Sequence, residues 1–190
     1  HPMIDAIEVV CLEGWYDILK AYAEQFGIAK LKYVISGGNS SQESIKIGLE
    51  NLKNICNDGD IIIIHDGIRP MVDDNIITSC IETCESNGNG VTAYPVYEQI
   101  FETKDGKTTD KYIPRESLRI VQTPQAYKYK EILDVYIEGF EKNIGIHGSS
   151  YANTLMTDMG KKLYFSAGST KNIKITTKDD IAIFKAMISF

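Results

Sequence analysis

At 190 residues, with 43% apolar and 24% charged side chains, the chain has the length and composition of one globular domain with a full hydrophobic core. The 20 basic and 26 acidic residues leave a net charge of −6, which argues against a nucleic-acid-binding surface and against attraction to anionic membranes. The longest apolar run falls far short of a membrane span and no secretory signal opens the chain, so the sequence reads as cytoplasmic.

Short β-rich runs alternate with amphipathic segments. Residues 6–10, Ala-Ile-Glu-Val-Val, predict a strand, and 15–26 a helix stopped by Gly27. A second strand over 32–35 breaks at Gly37-Gly38. That pair, followed by Asn39-Ser-Ser, suits a loop whose backbone N–H groups approach a ligand closely, and equally a plain Gly-Gly turn. The next helix covers 41–52, with Ser40 or Ser41 as N-cap and Ile45, Leu49 and Leu52 on one face.

Ile61-Ile-Ile-Ile-His-Asp-Gly-Ile-Arg-Pro70 is the most informative stretch. Its four branched aliphatics predict a central strand buried on both faces of a parallel sheet. Polar groups released at the carboxyl end of such a strand are where open α/β sheets hold ligands. Asp66, able to hold a metal, and Arg69, able to hold a phosphate, suggest chemistry on a phosphorylated substrate. The other reading is a turn in which the two pair with each other.

A helix over 73–85, stopped by Asn87-Gly-Asn-Gly90, and a strand over 91–96 complete a βαβ pattern, which predicts a mostly parallel sheet with right-handed crossovers. Cys80 and Cys84, one helical turn apart, read as thiols on a buried helix face rather than as a zinc or redox pair; with Cys11 and Cys56 they show no metal-ligand spacing to the histidines. The pattern changes at 97–118, where Asp105-Gly106 between two β-type runs predicts a hairpin. Such an arm is expected to project and to pack on another subunit, with packing back on its own domain as the alternative. Thr123-Pro-Gln125 reads as a turn. Helices at 129–142 and 153–159, short strands at 162–165 and 172–175, and a helix at 178–189 close the chain. With no internal repeat or linker, residues 1–190 are expected to form a single domain carrying the 97–118 arm.

Several stretches follow one another in a specific order: Ile4-Asp-Ala-Ile-Glu-Val-Val-Cys11, Gly37-Gly38 with Gln42 and Ser44, Gly48-Leu49, His65-Asp-Gly-Ile-Arg-Pro70, Pro95-Val96, Gln122-Thr-Pro-Gln125 and Asn172-Ile-Lys-Ile-Thr-Thr177. In this order the set resembles the cytidylyltransferases that activate sugar-alcohol phosphates, the family of 2-C-methyl-D-erythritol 4-phosphate cytidylyltransferase and its ribitol 5-phosphate relatives. The resemblance implies an α/β, three-layer, Rossmann-like nucleotidyltransferase fold of the glycosyltransferase-A-like kind, with a mostly parallel sheet, and a homodimer joined through the hairpin arm.

It also implies a reaction. The phosphate of a polyol phosphate attacks the α-phosphorus of CTP, pyrophosphate leaves, and a CDP-alcohol forms, with Mg2+ as the divalent cation across the phosphates. On this resemblance Asp66 serves the magnesium and substrate end of the site, and Arg69 and Lys174 hold the acceptor phosphate or the α-phosphate. Gly67 and Thr123 contact the acceptor, and Arg115 reaches its phosphate across a dimer interface. Gly37, Gly38 and Ser44 face the cytidine. Simpler roles exist for some of these: Lys174 as a surface lysine lying along apolar neighbours, Arg115 in a surface ion pair, Thr123 as a turn cap, and His65 as a satisfied histidine.

The chain departs from the family in places. The family's opening strand and its Gly-rich, Arg- and Lys-bearing loop, which wraps the triphosphate, have no counterpart. They are expected ahead of His1 in a longer natural protein, or the strand is supplied by another chain, since otherwise two strand edges lie exposed. Each lost donor costs about 3 kcal/mol in the transition state, so without the loop turnover is expected to fall by several powers of ten. Ser41 stands where an arginine is usual and Gln99 where a threonine is usual. Ser150-Tyr-Ala-Asn-Thr154 replaces a Thr-Asp-rich segment, so that Tyr151 cannot do what a carboxylate does there. The expected function is CTP-dependent transfer of CMP to 2-C-methyl-D-erythritol 4-phosphate or ribitol 5-phosphate. The alternative is a catalytically silent homologue serving as a sugar-phosphate or nucleotide-binding, or structural, subunit.

Overall fold

The computed structural model describes residues 1–147 and 151–189. In chain order the elements are β1 (Ile7–Cys11), α1 (Tyr16–Gln25), β2 (Leu31–Ser36), α2 (Ser41–Asn51), β3 (Ile61–Ile64), α3 (Asp74–Asn87), β4 (Asn89–Pro95), β5 (Ile100–Glu102), β6 (Lys111–Ile113), β7 (Arg119–Lys128), α4 (Tyr129–Lys142), α5 (Ala152–Asp158), β8 (Phe165–Ala167) and α6 (Lys178–Ile188). They fall into two compact units, 1–64 with 126–163 and 65–125 with 164–190. Among the described residues no helix is long and apolar enough to cross a membrane.

In the first unit β1 and β2 pair in parallel, with Glu8 opposite Tyr33 and Val10 opposite Ile35. α1 joins them and ends, as predicted, ahead of Gly27, whose φ of +64° favours glycine. α2 is capped by Ser40, whose hydroxyl accepts the Glu43 N–H at 3.1 Å. Of the predicted inward face only Leu49 is fully buried; its buried neighbours on the helix are Gln42 and Gly48. The reason is a close approach to β1 through Gly48, where a Cβ would meet Glu8 Oε1 at 3.0 Å and Val10 Cγ2 at 3.2 Å.

α4 has the predicted bounds and buries Tyr129, Ile132, Leu133, Val135 and Tyr136, with Leu155 and Met156 of α5 adding to the same core. Within it Gln42 is fully bonded. Its Nε2 donates to the carbonyls of Gly145 at 2.9 Å and Tyr151 at 3.3 Å, and its Oε1 accepts the Tyr136 hydroxyl at 2.7 Å. Burial pushes the Tyr136 phenol far up, so it serves only as the un-ionised donor.

In the second unit α3 is capped by Asp73, which accepts the Ile76 N–H at 2.9 Å, and stops at Gly88 with a φ of +93°. Cys80 and Cys84 lie on its buried face as predicted. α3 lies so close to β4 that a Cβ on Gly90 would collide with the Cys80 carbonyl. β4 pairs in parallel with β8, Thr92 opposite Ser166. The strand expected at 162–165 therefore begins only at Phe165, because the Tyr164 N–H is taken by the Asn89 side chain at 3.0 Å. No strand forms over 172–175; Ile173 N–H bonds to Lys171 O at 2.8 Å and Ile175 N–H to Ile68 O at 2.9 Å, which is no ladder.

Two further expectations are corrected. The turn expected at 123–125 is the interior of β7, a strand buried from Gln122 to Tyr127. Its proline and amides argue against a core strand when read locally, and the Thr123–Pro124 peptide is cis. The Ile61–Ile64 strand is not buried on both faces by the described residues. The four-stranded order is β3-β7-β4-β8, so β3 has one paired neighbour among the described residues, and its four isoleucines are only half covered. A run of aliphatics reports hydrophobicity, not position within a sheet.

β5 and β6 form the expected antiparallel hairpin, Phe101 opposite Tyr112, both exposed. This face is therefore left uncovered by the described residues, while Ile100 and Ile113, opposite each other on the arm's other face, are partly covered. Its connection is the longer loop 103–110 rather than a two-residue turn. The Asp105 carboxylate organises that loop by accepting the Lys107 and Thr108 N–H groups at 2.9 and 2.8 Å, which holds its pKa far below the usual carboxylate range.

Candidate active site

After β3 the chain turns sharply, the Arg69 N–H donating to the Asp66 carbonyl at 3.0 Å. This brings the two side chains together, with Arg69 Nε 3.1 Å from Asp66 Oδ2. The two thus pair as the alternative turn reading had it, but the pair is not self-contained. Lys174 Nζ approaches the same Oδ2 at 3.2 Å, and Arg69 Nη1 donates to the Asn172 carbonyl at 2.8 Å. The three side chains retain 12% (Arg69), 26% (Asp66) and 27% (Lys174) of their exposure, so the cluster is largely desolvated yet reachable. Two cations on one carboxylate leave a net positive centre, the electrostatic requirement for holding a phosphate.

Thr123 on β7 meets this loop from below, its Oγ1 accepting the Asp66 N–H at 3.0 Å. It is buried, so it acts on the Asp66 backbone rather than as a cap on its own proline turn. Gly67 is exposed, and a Cβ there would meet nothing within 4 Å, so packing does not require a glycine. His65 is satisfied by the Arg69 carbonyl, 3.3 Å from its Nε2, and desolvation lowers its pKa, leaving a neutral ring at pH 7.

Arg115 is not joined to this cluster. Its Nη1 donates to the Tyr97 carbonyl at 2.9 Å and its Nε lies 3.7 Å from Glu116, at the base of the hairpin.

In the first unit the Gly37–Gly38 loop is pulled against the first turn of α2. Gly38 N–H donates to Ser44 Oγ at 3.1 Å and Asn39 N–H to Glu43 Oε2 at 2.6 Å. A Cβ on Gly37 would meet Ser44 Oγ at 2.9 Å, and one on Gly38 would collide with Glu43. The glycines thus have a packing reason, and Ser44 Oγ accepts the Gly38 N–H. Tyr151 is exposed, its N–H donating to Thr154 Oγ1 at 2.7 Å, while Ser150 lies outside the described residues.

Among the described residues no three His, Cys, Asp or Glu side chains gather where they could hold an ion, and Asp66 Oδ2 already lies between two cations. A dication there would meet both charges.

Gln122 and Asn172 belong to the same neighbourhood and were given no role from sequence. Each stands inside a motif that was read, Gln122 beside Thr123 and Asn172 before Lys174, but which amide meets which carbonyl is a tertiary fact.

A family model for 2-C-methyl-D-erythritol 4-phosphate cytidylyltransferase (IspD) matches residues 1–189. A ribitol-5-phosphate cytidylyltransferase of Lacticaseibacillus paracasei is 51% identical over 188 residues, 99% of this chain and 80% of that one. A 2-C-methyl-D-erythritol 4-phosphate cytidylyltransferase of Clostridium acetobutylicum is 33% identical over 182 residues, 95% of this chain and 76% of that one. In fold the chain is similar to the solved 4-diphosphocytidyl-2C-methyl-D-erythritol synthase of Anaerococcus prevotii, with a TM-score of 0.84 at 23% identity, covering 98% and 82% of the two chains. The order of motifs, the α/β architecture and these matches agree, and the chain belongs to the 2-C-methyl-D-erythritol 4-phosphate cytidylyltransferase family.

Proposed function

We propose that the protein transfers CMP from CTP to ribitol 5-phosphate, forming CDP-ribitol and pyrophosphate. Cytidylyl transfer follows from the family; ribitol 5-phosphate as acceptor is supported by the 51% identity to the relative of that name. The observation that carries the reading is the Asp66 carboxylate oxygen shared by Arg69 and Lys174.

In the reaction an oxygen of the acceptor phosphate attacks the α-phosphorus. That P–O bond forms as the α–β bridging bond breaks, and pyrophosphate takes the electron pair. The protein's task is positioning and charge stabilisation, with no covalent intermediate. Lys174 and the remaining N–H groups of Arg69 meet the acceptor phosphate, which would otherwise be repelled by the anionic nucleotide. Asp66 keeps both cations on one side, and Thr123 fixes the Asp66 backbone. Gly37, Gly38 and Ser44 are assigned to the cytidine. Mg2+ would enter bound to the nucleotide's phosphates, with Asp66 the carboxylate placed nearest to it, and would supply neutralisation of the phosphate charge.

A homodimer is part of the same proposal. The exposed Phe101 and Tyr112 pair supports the hairpin as the contact, through which Arg115 would act on the partner's acceptor. A cytoplasmic location belongs to the same proposal, since CTP is the donor it assumes.

The test is pyrophosphate release and product mass with CTP and Mg2+, measured on the full-length natural protein and comparing ribitol 5-phosphate with 2-C-methyl-D-erythritol 4-phosphate. CDP-ribitol formed at least tenfold more efficiently supports the proposal. Preference for the methylerythritol acceptor overturns the choice of acceptor, and no product from either overturns the reading.

A further inference from the structure

Behind the charged cluster stand two amides almost wholly shielded from solvent: Gln122 is 4% exposed and Asn172 0%. Gln122 Nε2 donates to the carbonyls of Ser169 at 2.9 Å and Asn172 at 2.8 Å, and its Oε1 accepts the Ser169 N–H at 3.3 Å. Asn172 Nδ2 donates in return to the Thr123 carbonyl at 2.9 Å. The Asn172 carbonyl that receives Gln122 is also the one that receives Arg69 Nη1 at 2.8 Å.

None of residues 169–175 lies in a helix or strand, yet this segment carries Lys174. Side-chain amides do for it what a ladder does elsewhere. They fasten it to β7 at Thr123 and leave one carbonyl oxygen as the shared anchor of Gln122 and Arg69. Apolar side chains of the same volume would fill the space without fixing that oxygen.

We propose that Gln122 and Asn172 are positioning residues, a buried amide clamp that sets where Arg69 and Lys174 present their charge to the acceptor phosphate. The inference rests on the assignment of that cluster to the acceptor in the proposed function. It predicts a selective defect: the clamp acts on the acceptor's phosphate and not on CTP.

The test compares Gln122→Met, close in volume and without the amide, with wild type, Arg69→Lys and the double variant, reading KM for ribitol 5-phosphate, KM for CTP and kcat. The clamp predicts a tenfold or greater rise in acceptor KM, a CTP KM within twofold, and a Gln122→Met effect reduced to twofold or less in the Arg69→Lys background, since both act through one carbonyl. An unchanged acceptor KM, equal rises in both KM values, or an additive double variant overturns it, because a merely structural amide gives those results. If Gln122→Met shows no cooperative melt, Gln122→Glu, which keeps the acceptor oxygen and loses the donor, is judged on the same readouts. A wild type inactive on every polyol phosphate defeats the functional reading instead; the clamp then stands or falls on whether Gln122→Met weakens binding of inorganic phosphate by calorimetry.

Discussion

Lys174 Nζ lies 3.2 Å from Asp66 Oδ2, across 108 residues of chain, on the oxygen that Arg69 Nε also meets at 3.1 Å. A carboxylate shared in this way is an orienting group. It holds two cations ready for a phosphate without giving up their net positive charge.

Lys174→Ala is therefore expected to lower kcat/KM by about 10²–10³, the loss typical of one preorganised charge-stabilising donor. Steady-state kinetics with a thermal melt separates this from unfolding, since Asp66 keeps Arg69 as its partner when Lys174 is removed. A loss below fivefold removes Lys174 from the site.

Thr123→Val deletes the acceptor of the Asp66 N–H while keeping shape. Urea unfolding is expected to show a loss of about 1–3 kcal/mol, the cost of a covered backbone donor left without a partner, and Thr123→Ser to restore most of it. Equal stabilities for Val and Ser would show that the bond contributes nothing.

Tyr136→Phe leaves Gln42 Oε1 without its hydroxyl donor in the core of the first unit. A destabilisation of about 1–3 kcal/mol is expected for an orphaned buried acceptor, measured as a shift in urea midpoint at unchanged slope. No shift means that Gln42 finds another donor.

Asp180 accepts the N–H groups of Thr176 and Thr177 at 2.9 and 2.7 Å, and these bonds hold its carboxyl down at about 2 from an ordinary 3.8. A folded-state pKa below the unfolded one stabilises the fold above the unfolded value and is lost as pH falls through the folded one. Asp180→Asn should therefore melt below wild type at pH 6, with the gap closing between about pH 4 and 2. A gap independent of pH over that window contradicts the capping role.

Phe101→Glu with Tyr112→Glu places like charges directly opposite each other on the exposed face of the arm. If the arm joins two copies, sedimentation velocity shows a dimer for wild type and a monomer for the variant. A wild-type monomer rules the interface out.

Much of this was legible in the amino acids alone. Periodicity and stop signals placed α4 at its observed bounds, put Cys80 and Cys84 on a buried face, and ended α1 before Gly27. Chain order of short motifs was enough to single out Asp66, Arg69, Thr123 and Lys174, because chemistry restricts residue type at a few positions whatever surrounds them. Three dimensions were needed for the rest. Four isoleucines look alike whether fully buried or half covered, so the cover over β3 depended on which elements it found as neighbours. β7 hid behind amides and a proline, since burial of polar groups is tolerable only when distant partners satisfy them, and a local window cannot see Ser169 or Asn172 meeting Gln122. The convergence of Lys174 and Arg69 on one oxygen is a long-range contact of the same kind: sequence supplies the charges, and the packing of the second unit brings them together.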